Sequence, residues 1–382
     1  MKKVLALLLA ALLVFSLVAC TQTPAPTPAP PAATPTPGEP SPITPEVTPV
    51  DGIFLALVTD YGTIDDGSFN QGSWEGVVAF AEANGISHQY FQPADITTAA
   101  YIDAIELAIV GGAQLIVTPG FLFREAVYVA QDLFPDVKFV LIDSTPAPPG
   151  GAPVIAQNTV AVLYAEEESG FLAGYAAVME GHRSLGFIGG LPVPAVVRFG
   201  HGFVEGAEYA AQQLGLAAGE VSINYAYAMT FSPAPEVQTM AAAWFNDGVE
   251  IIFAAAGGAG FSVMAAAEVA GGLVIGVDID QASASETVIT SALKGLQASV
   301  YSIITDFFND EFPGGELKIF NAAMNGVGLP METSRFQNFT QAQYDAIFAL
   351  LASGEIVVND TVEEGFGPLD LDTELVNIIL IG

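Results

Sequence analysis

Within TDYGTIDDGSFNQGSWEG, residues 59–76, the carboxylates Asp60, Asp65 and Asp66 fall close to Ser68, Phe69, Asn70 and Gln71. Carboxylates at that density suit acid–base catalysis, chelation of a hard cation, or capture of a ligand that offers hydrogen-bond donors. The motifs that would decide for catalysis are missing: the sequence has no G-x-S-x-G, no H-E-x-x-H and no Walker A string. His88, His182 and His201 are scattered, with no partner at metal-ligand spacing. Gly257-Gly258-Ala259-Gly260 opens a helical pattern, but its spacing is not G-x-G-x-x-G and a tight turn accounts for it.

The elements that must position these residues are legible as alternating patterns. Strand-like runs fall at 53–58, 115–118, 138–142, 185–189, 251–256 and 273–277. Helical patterns fall near 69–84, 98–110, 122–133, 165–180, 196–214, 235–246, 260–270 and 292–309. That alternation predicts βαβ units and a parallel sheet, and no repeat of solenoid length is visible. The run IFLALV (53–58) places Asp60 at a strand's carboxyl end, the edge where open α/β sheets bind ligands. Ser68 with Gln71 matches a capping box, and Asn84-Gly85 ends the helix that follows. KFVLI and LVIGV end in the same way, on Asp143 and Asp278.

The chain has 382 residues with 9 basic and 42 acidic side chains, a formal charge of −33. Such a field repels nucleic acid and disfavours anionic ligands. With 52% hydrophobic and only 13% charged residues, the composition is nevertheless that of a well-cored globule. Residues 1–20, MKKVLALLLAALLVFSLVAC, read as an export leader with a basic start and an apolar stretch too short to span comfortably. Leu17-Val18-Ala19-Cys20 resembles the bacterial lipobox, which implies a lipid on Cys20 and an extracytoplasmic, membrane-anchored protein. Cys20 is the only cysteine, so no internal disulfide can form and the fold rests on core burial. Residues 21–50 form a Thr/Pro tether that could reach roughly 90 Å at polyproline rise.

Two family resemblances bear on the chemistry. Nucleoside hydrolases carry D-x-D-x-G-x-D-D after a first strand. Here Val58 stands in place of the first aspartate, and Asp60-Tyr61-Gly62 leads to Asp65-Asp66 one residue late. A calcium site needs six to eight oxygens in fixed geometry, so both departures count against it. The broader resemblance is to the basic membrane protein family, lipoprotein substrate-binding subunits of ABC transporters that include purine nucleoside receptors. TDYGTIDDGSFNQGSWEG resembles its first-strand signature. LIVTPGFLFREAVYVAQDLFPDVKFVLID and YAEEESGFLAGYAA are similar to its next two blocks. DGVEIIFAAAGGAGFSVMAAAE and VIGVDIDQ followed by ITSALKG are similar to its later ones.

That resemblance implies a type I periplasmic-binding-protein fold: two doubly wound α/β lobes joined by crossing strands and closing on ligand about a hinge. Its first lobe is expected at 51–158 with a returning segment near 279–320, and its second at 159–278 with 321–382. The resemblance implies that Asp60 meets the ligand and that Phe69 and Phe231 stack on the two faces of a purine. It implies that Asp278 and Lys294 hold the ribose hydroxyls, and that Asp66, Asn70, Gln71 and the loop Gly257 to Gly260 line the cleft. Ser232 stands where the family often has an aspartate, and Gln297 where it tends to have an acidic residue. The ligand so implied is a nucleoside and not a nucleotide, because a phosphate would face several aspartates and one lysine. Permease and ATPase subunits are the implied partners, with no cofactor, no metal and no catalysis. A nucleoside hydrolase-like enzyme and a signalling lipoprotein for another small ligand stay open as alternatives.

The anchor is directly testable. Cys20→Ser is expected to abolish lipid labelling and move most of the protein out of the membrane fraction, as read by radiolabelled fatty acid and fractionation. Retention of both would remove the lipobox.

Overall fold

The computed structural model describes residues 54–362, 371 and 373–381; the expected leader, the tether and Cys20 lie outside the described residues. Its strands are short runs rich in Val, Ile, Leu and Ala, and the helices between them cover both faces of each sheet. The first sheet contains β1 (Phe54–Val58), β2 (Ser87–Phe91), β3 (Ala113–Pro119), β4 (Lys138–Ile142) and β5 (Thr159–Tyr164). The second contains β6 (Ser184–Gly189), β7 (Val221–Tyr227), β8 (Ile251–Ala255), β9 (Leu273–Asp278) and β10 (Val288–Lys294). Later segments extend both: β11 (Leu317–Phe320) joins the first, while β12 (Val327–Gly328) and β13 (Val376–Leu380) join the second.

The spatial order is β11-β5-β4-β3-β1-β2 in one sheet and β12-β10-β9-β8-β6-β7-β13 in the other. Apart from the antiparallel β10–β12 pair, neighbouring strands are parallel. Each sheet thus holds the same arrangement, β2-β1-β3-β4-β5 or β7-β6-β8-β9-β10, the doubly wound order that opens a crevice at the carboxyl ends of its central strands.

Nine helices are described: α1 (Phe69–Asn84), α2 (Thr98–Val110), α3 (Arg124–Leu133), α4 (Glu166–Glu180), α5 (Pro194–Leu214), α6 (Pro235–Asn246), α7 (Gly260–Ala270), α8 (Leu296–Phe308) and α9 (Gln341–Ala352). Alternation along β1 shows why both faces need helices. Leu55 and Leu57 join a core with Val77 and Phe80 of α1, whereas Ala56 and Val58 face Tyr101 and Ile105 of α2. Each fully buried Leu, Val, Ile or Phe among them contributes about 1.5–3 kcal/mol by leaving water. Among the described residues no helix is long and apolar enough to cross a membrane.

The chain passes between the sheets three times: at Ala165 from β5 into α4, at Gly295 from β10 into α8, and over 321–326 from β11 to β12. Two expected lobe assignments are corrected by the pairing. β5 begins at Thr159, where the second lobe was expected to start, yet it pairs with β4 in the first sheet. The segment 279–320 was expected to return whole to the first lobe, but β10 pairs with β9 in the second sheet, and only α8 and β11 go back. The helix expected near 292–309 starts at Leu296, after a strand: VITSALK is rich in β-branched residues, and Gly295 breaks the pattern. Lys294 is therefore the last residue of a strand and not part of a helix.

Helices α4 and α5 approach backbone to backbone. A Cβ on Gly170 or Gly174 would lie 2.2 or 2.0 Å from the carbonyl oxygen of Phe199 or Phe203. On Gly202 or Gly206 it would lie 1.9 or 2.0 Å from that of Glu167 or Phe171. This reciprocal contact fixes the start of α4 against the start of α5, where Glu166, Arg198 and Phe199 sit. Gly174→Ala is expected to lower the urea midpoint at unchanged slope, a loss of about 1–3 kcal/mol from overpacking. An unchanged midpoint would mean that the helices separate freely.

Candidate functional site

The carboxyl ends of both sheets converge on a mostly apolar cavity of about 490 Å³, within the roughly 300–1,000 Å³ usual for small-molecule sites. Loops after β1, β3 and β4 supply one wall, and those after β6, β7 and β8, with the ends of β9 and β10, supply the other. Of the ten residues expected to meet a ligand, Asp60, Asp66, Phe69, Asn70, Phe231, Gly257, Asp278 and Lys294 line this cavity. Gln71 and Gly260 do not: Gln71 bonds Gly67 N–H and Glu75, and Gly260 is buried against Ala254.

The opening stretch is organised by Asp66. Its Oδ1 accepts the N–H groups of Ser68 (2.9 Å) and Gln71 (3.0 Å), and its Oδ2 accepts Asn70 N–H (3.0 Å) and Asn70 Nδ2 (3.0 Å). The capping box expected of Ser68 and Gln71 does not form, because a carboxylate two residues earlier takes the free donors of α1. Ser68 is released to donate instead to Asp278 Oδ2, at 2.6 Å across the cleft. Asp60 Oδ1 accepts Gly62 N–H (2.7 Å) and Asn70 Nδ2 (3.1 Å). Burial pushes the Asp60 carboxyl above its ordinary range, against those two bonds. Phe69, the first residue of α1, thus emerges from a rigid turn.

Phe231 reaches the cavity from the second lobe, on the loop after β7. Its ring lies over Gly190, where a Cβ would come within 2.2 Å of it, and its carbonyl accepts Ala259 N–H at 2.9 Å. The Gly257–Gly260 loop therefore supports Phe231 as well as lining the cavity.

Lys294 holds the floor. Its Nζ donates to Asp143 Oδ2, lies 3.1 Å from Glu166 Oε1 and 3.9 Å from Asp278 Oδ1, and has only 2% of its side chain exposed. The rings of Phe69, Tyr164 and Phe199 surround the ammonium at 5.1, 5.5 and 5.4 Å. Burial opposes the lysine's charge, but Asp143, Glu166 and Asp278 outweigh it and hold the group charged above the ordinary range. Burial pushes the Asp143 carboxyl up to about 7 in spite of Lys294. Burial also raises Asp278, against Lys294 and the Ser68 bond. Glu166 behaves oppositely: burial is overcome by Lys294 and by Arg198, whose Nε lies 2.7 Å away, so it stays below the usual carboxylate range. Asp143 and Asp278 both adopt left-handed backbone, φ +59° and +67°, a strained conformation that turns each strand tip into the cavity wall.

Asp143 was legible as a strand tip but had no ligand role; its link to Lys294 gives it a place in the site. Glu166 and Arg198 had no signal beyond an acidic triplet, Glu166-Glu167-Glu168, set in an otherwise apolar segment. Phe199 and Tyr61, which also line the cavity, look like ordinary aromatics in the sequence.

A cavity between two lobes of matching strand order defines a binding protein of the type I periplasmic fold. Solved structures bear out that fold. An ABC transporter solute-binding protein from Aeropyrum pernix K1 has TM-score 0.70 at 22% identity, covering 82% of this chain and 94% of that one. One from Conexibacter woesei has 0.66 at 22%, covering 81% and 100%. The family described as ABC transporter substrate-binding protein PnrA-like matches residues 53–361, and the chain belongs to it. Its relatives include the ABC transporter nucleoside-binding protein BmpA of Lactococcus lactis subsp. cremoris, 29% identical over 73% of this chain and 82% of that protein. Another is basic membrane protein B of Borreliella burgdorferi, at 28% over 73% and 81%. The family is one of ABC transporter substrate-binding proteins.

The lysine network makes a stability prediction. Lys294→Met leaves Asp143, Glu166 and Asp278 without their shared cation, a loss of about 3–5 kcal/mol for a broken buried pair. A carboxyl with a raised folded-state pKa stabilises the fold below its unfolded value and loses that contribution as pH rises through the raised one. With Asp143 already at about 7, the variant is expected to recover part of its deficit between pH 8 and pH 5, read by urea unfolding. Equal deficits at the two pH values would contradict the network.

Proposed function

We propose that this chain captures a purine nucleoside between its lobes and delivers it to the permease and ATPase subunits of an ABC importer. On this reading Cys20 carries the lipid that holds it, through the 21–50 tether, on the outer face of the cell membrane. The first lobe comprises β1–β5 with α8 and β11, and the second comprises the remainder.

One observation carries the reading. Phe69 and Phe231 enter a single cavity from opposite lobes, above acceptor-rich groups at Asp143 and Asp278. A flat, apolar-faced base suits two aromatic walls, and ribose hydroxyls suit carboxylate acceptors. Asn70 Oδ1 and Asp143 Oδ1 are buried without a hydrogen-bond partner among the described residues, which favours a ligand that brings donors. The Lactococcus relative is named a nucleoside-binding protein, which agrees. Against a calcium-dependent hydrolase, both oxygens of Asp66 are already taken by N–H donors, and Val58 cannot ligate.

Phe69→Ala or Phe231→Ala should weaken guanosine and free guanine alike, by about 5- to 150-fold for roughly 1–3 kcal/mol of base–aromatic stacking. Asp278→Ala should weaken guanosine far more than guanine. Calorimetric titration of the wild type and the three variants reads both effects, and chromatography of the same samples should show no guanine released from guanosine. Wild-type binding of both ligands by Phe231→Ala would remove the second aromatic wall.

A further inference from the structure

The second lobe grips the first at a point that the ligand contacts do not explain. In VIGVDIDQ, the string that closes β9, Asp278 belongs to the cavity but Gln281 does not line it. Gln281 is only 3% exposed and fully engaged. Its backbone N–H donates to Ser291 Oγ at 3.0 Å, and its side-chain Oε1 accepts Val277 N–H at 3.0 Å. Its Nε2 donates to the Gly67 carbonyl at 2.7 Å, across the cleft. Only this orientation of the amide serves both partners, since one offers a donor and the other an acceptor.

Gly67 is itself constrained. It has φ +64°, and the Phe261 ring of α7 occupies the space that a side chain would need, 2.4 Å from an ideal Cβ. The next residue, Ser68, donates to Asp278. Gln281, Phe261 and Asp278 of the second lobe therefore hold two consecutive residues of the first, immediately before Phe69.

We propose that Gln281 is a positioning residue for ligand binding: its amide clamps the Gly67 carbonyl, fixing the loop that presents Phe69 against the second lobe while the cleft is closed. The proposal rests on the nucleoside reading for its ligand but not for its geometry. In a two-lobed protein that closes about a hinge, a bond between lobes forms on closure and breaks on opening. It lengthens the residence of a bound ligand and leaves the encounter with the open form untouched.

Gln281→Glu tests this with little change of shape. The carboxylate keeps an acceptor for Val277 N–H but sets an oxygen against the Gly67 carbonyl. Gln281→Met, of similar length, offers neither bond. With guanosine as probe in stopped-flow measurements, the dissociation rate is expected to rise about 5- to 30-fold in both variants, the scale of one buried hydrogen bond lost. Association rates should stay within about twofold of wild type. Amide hydrogen exchange over residues 66–71 in the guanosine complex should accelerate in both, while that of β8 stays at wild-type rates. Unchanged dissociation with unchanged exchange at 66–71 overturns the clamp. Acceleration throughout the chain also overturns it, by making Gln281 a general support of the fold. If guanosine does not bind the wild type, the nucleoside reading fails, and the open–closed balance of the free protein decides the clamp: small-angle X-ray scattering should show both variants more open than the wild type, and identical profiles overturn it.

Discussion

The ammonium of Lys294 is the group on which the two lobes agree. It sits on the last residue of β10, immediately before the chain crosses back to the first lobe at Gly295. Glu166 sits just after the opposite crossing, at the start of α4, and Asp143 lies past the tip of β4 in the first sheet. One buried cation thus ties together two of the three crossovers and a strand tip of the first lobe. Removing these charges from water costs several kcal/mol each, and only mutual attraction with further hydrogen bonds offsets that. The arrangement is stable as a set and fragile in its parts.

Two of the acids in and beside this set are especially reluctant to ionise. Burial pushes Asp143 up to about 7, and burial followed by the neighbouring Glu166 pushes Glu167 up to about 8. Glu166 takes the opposite course because Lys294 and Arg198 both face it. The close contact of α4 with α5 makes this possible: the glycines that let the backbones touch also bring Arg198 to Glu166. Packing here sets the electrostatics.

The first wall of the site is built by the same economy of donors and acceptors. Asp66 satisfies the N-terminal amides of α1, which frees Ser68 for the second lobe and leaves Phe69 in the first turn, facing the cavity. An Asp in this place and a Ser-x-x-Gln box are equally good caps in local terms. The choice between them follows from Asp278, which offers Ser68 a charged acceptor from a strand more than two hundred residues later.

The sequence by itself determined the alternation of strands and helices, the strand tips that bear Asp60, Asp143 and Asp278, and the position of Phe69 at a helix start. These are set by side-chain period and by local turn chemistry, which act over a few residues. It also carried enough ordered blocks to reveal the family. Weaker strands escaped: SHQYF is a polar edge strand, and VITSALK merges by pattern into the helix behind it. Only the tertiary structure decided that β5 belongs to the first sheet and β10 to the second, because both are buried strands and partner choice is a long-range matter. It also decided that Lys294 meets Asp143, 151 residues away, and that Arg198 bonds Glu166 at 2.7 Å with Glu167 farther off at 3.6 Å. Such pairings depend on where whole layers come to rest, and no local period of the chain records that.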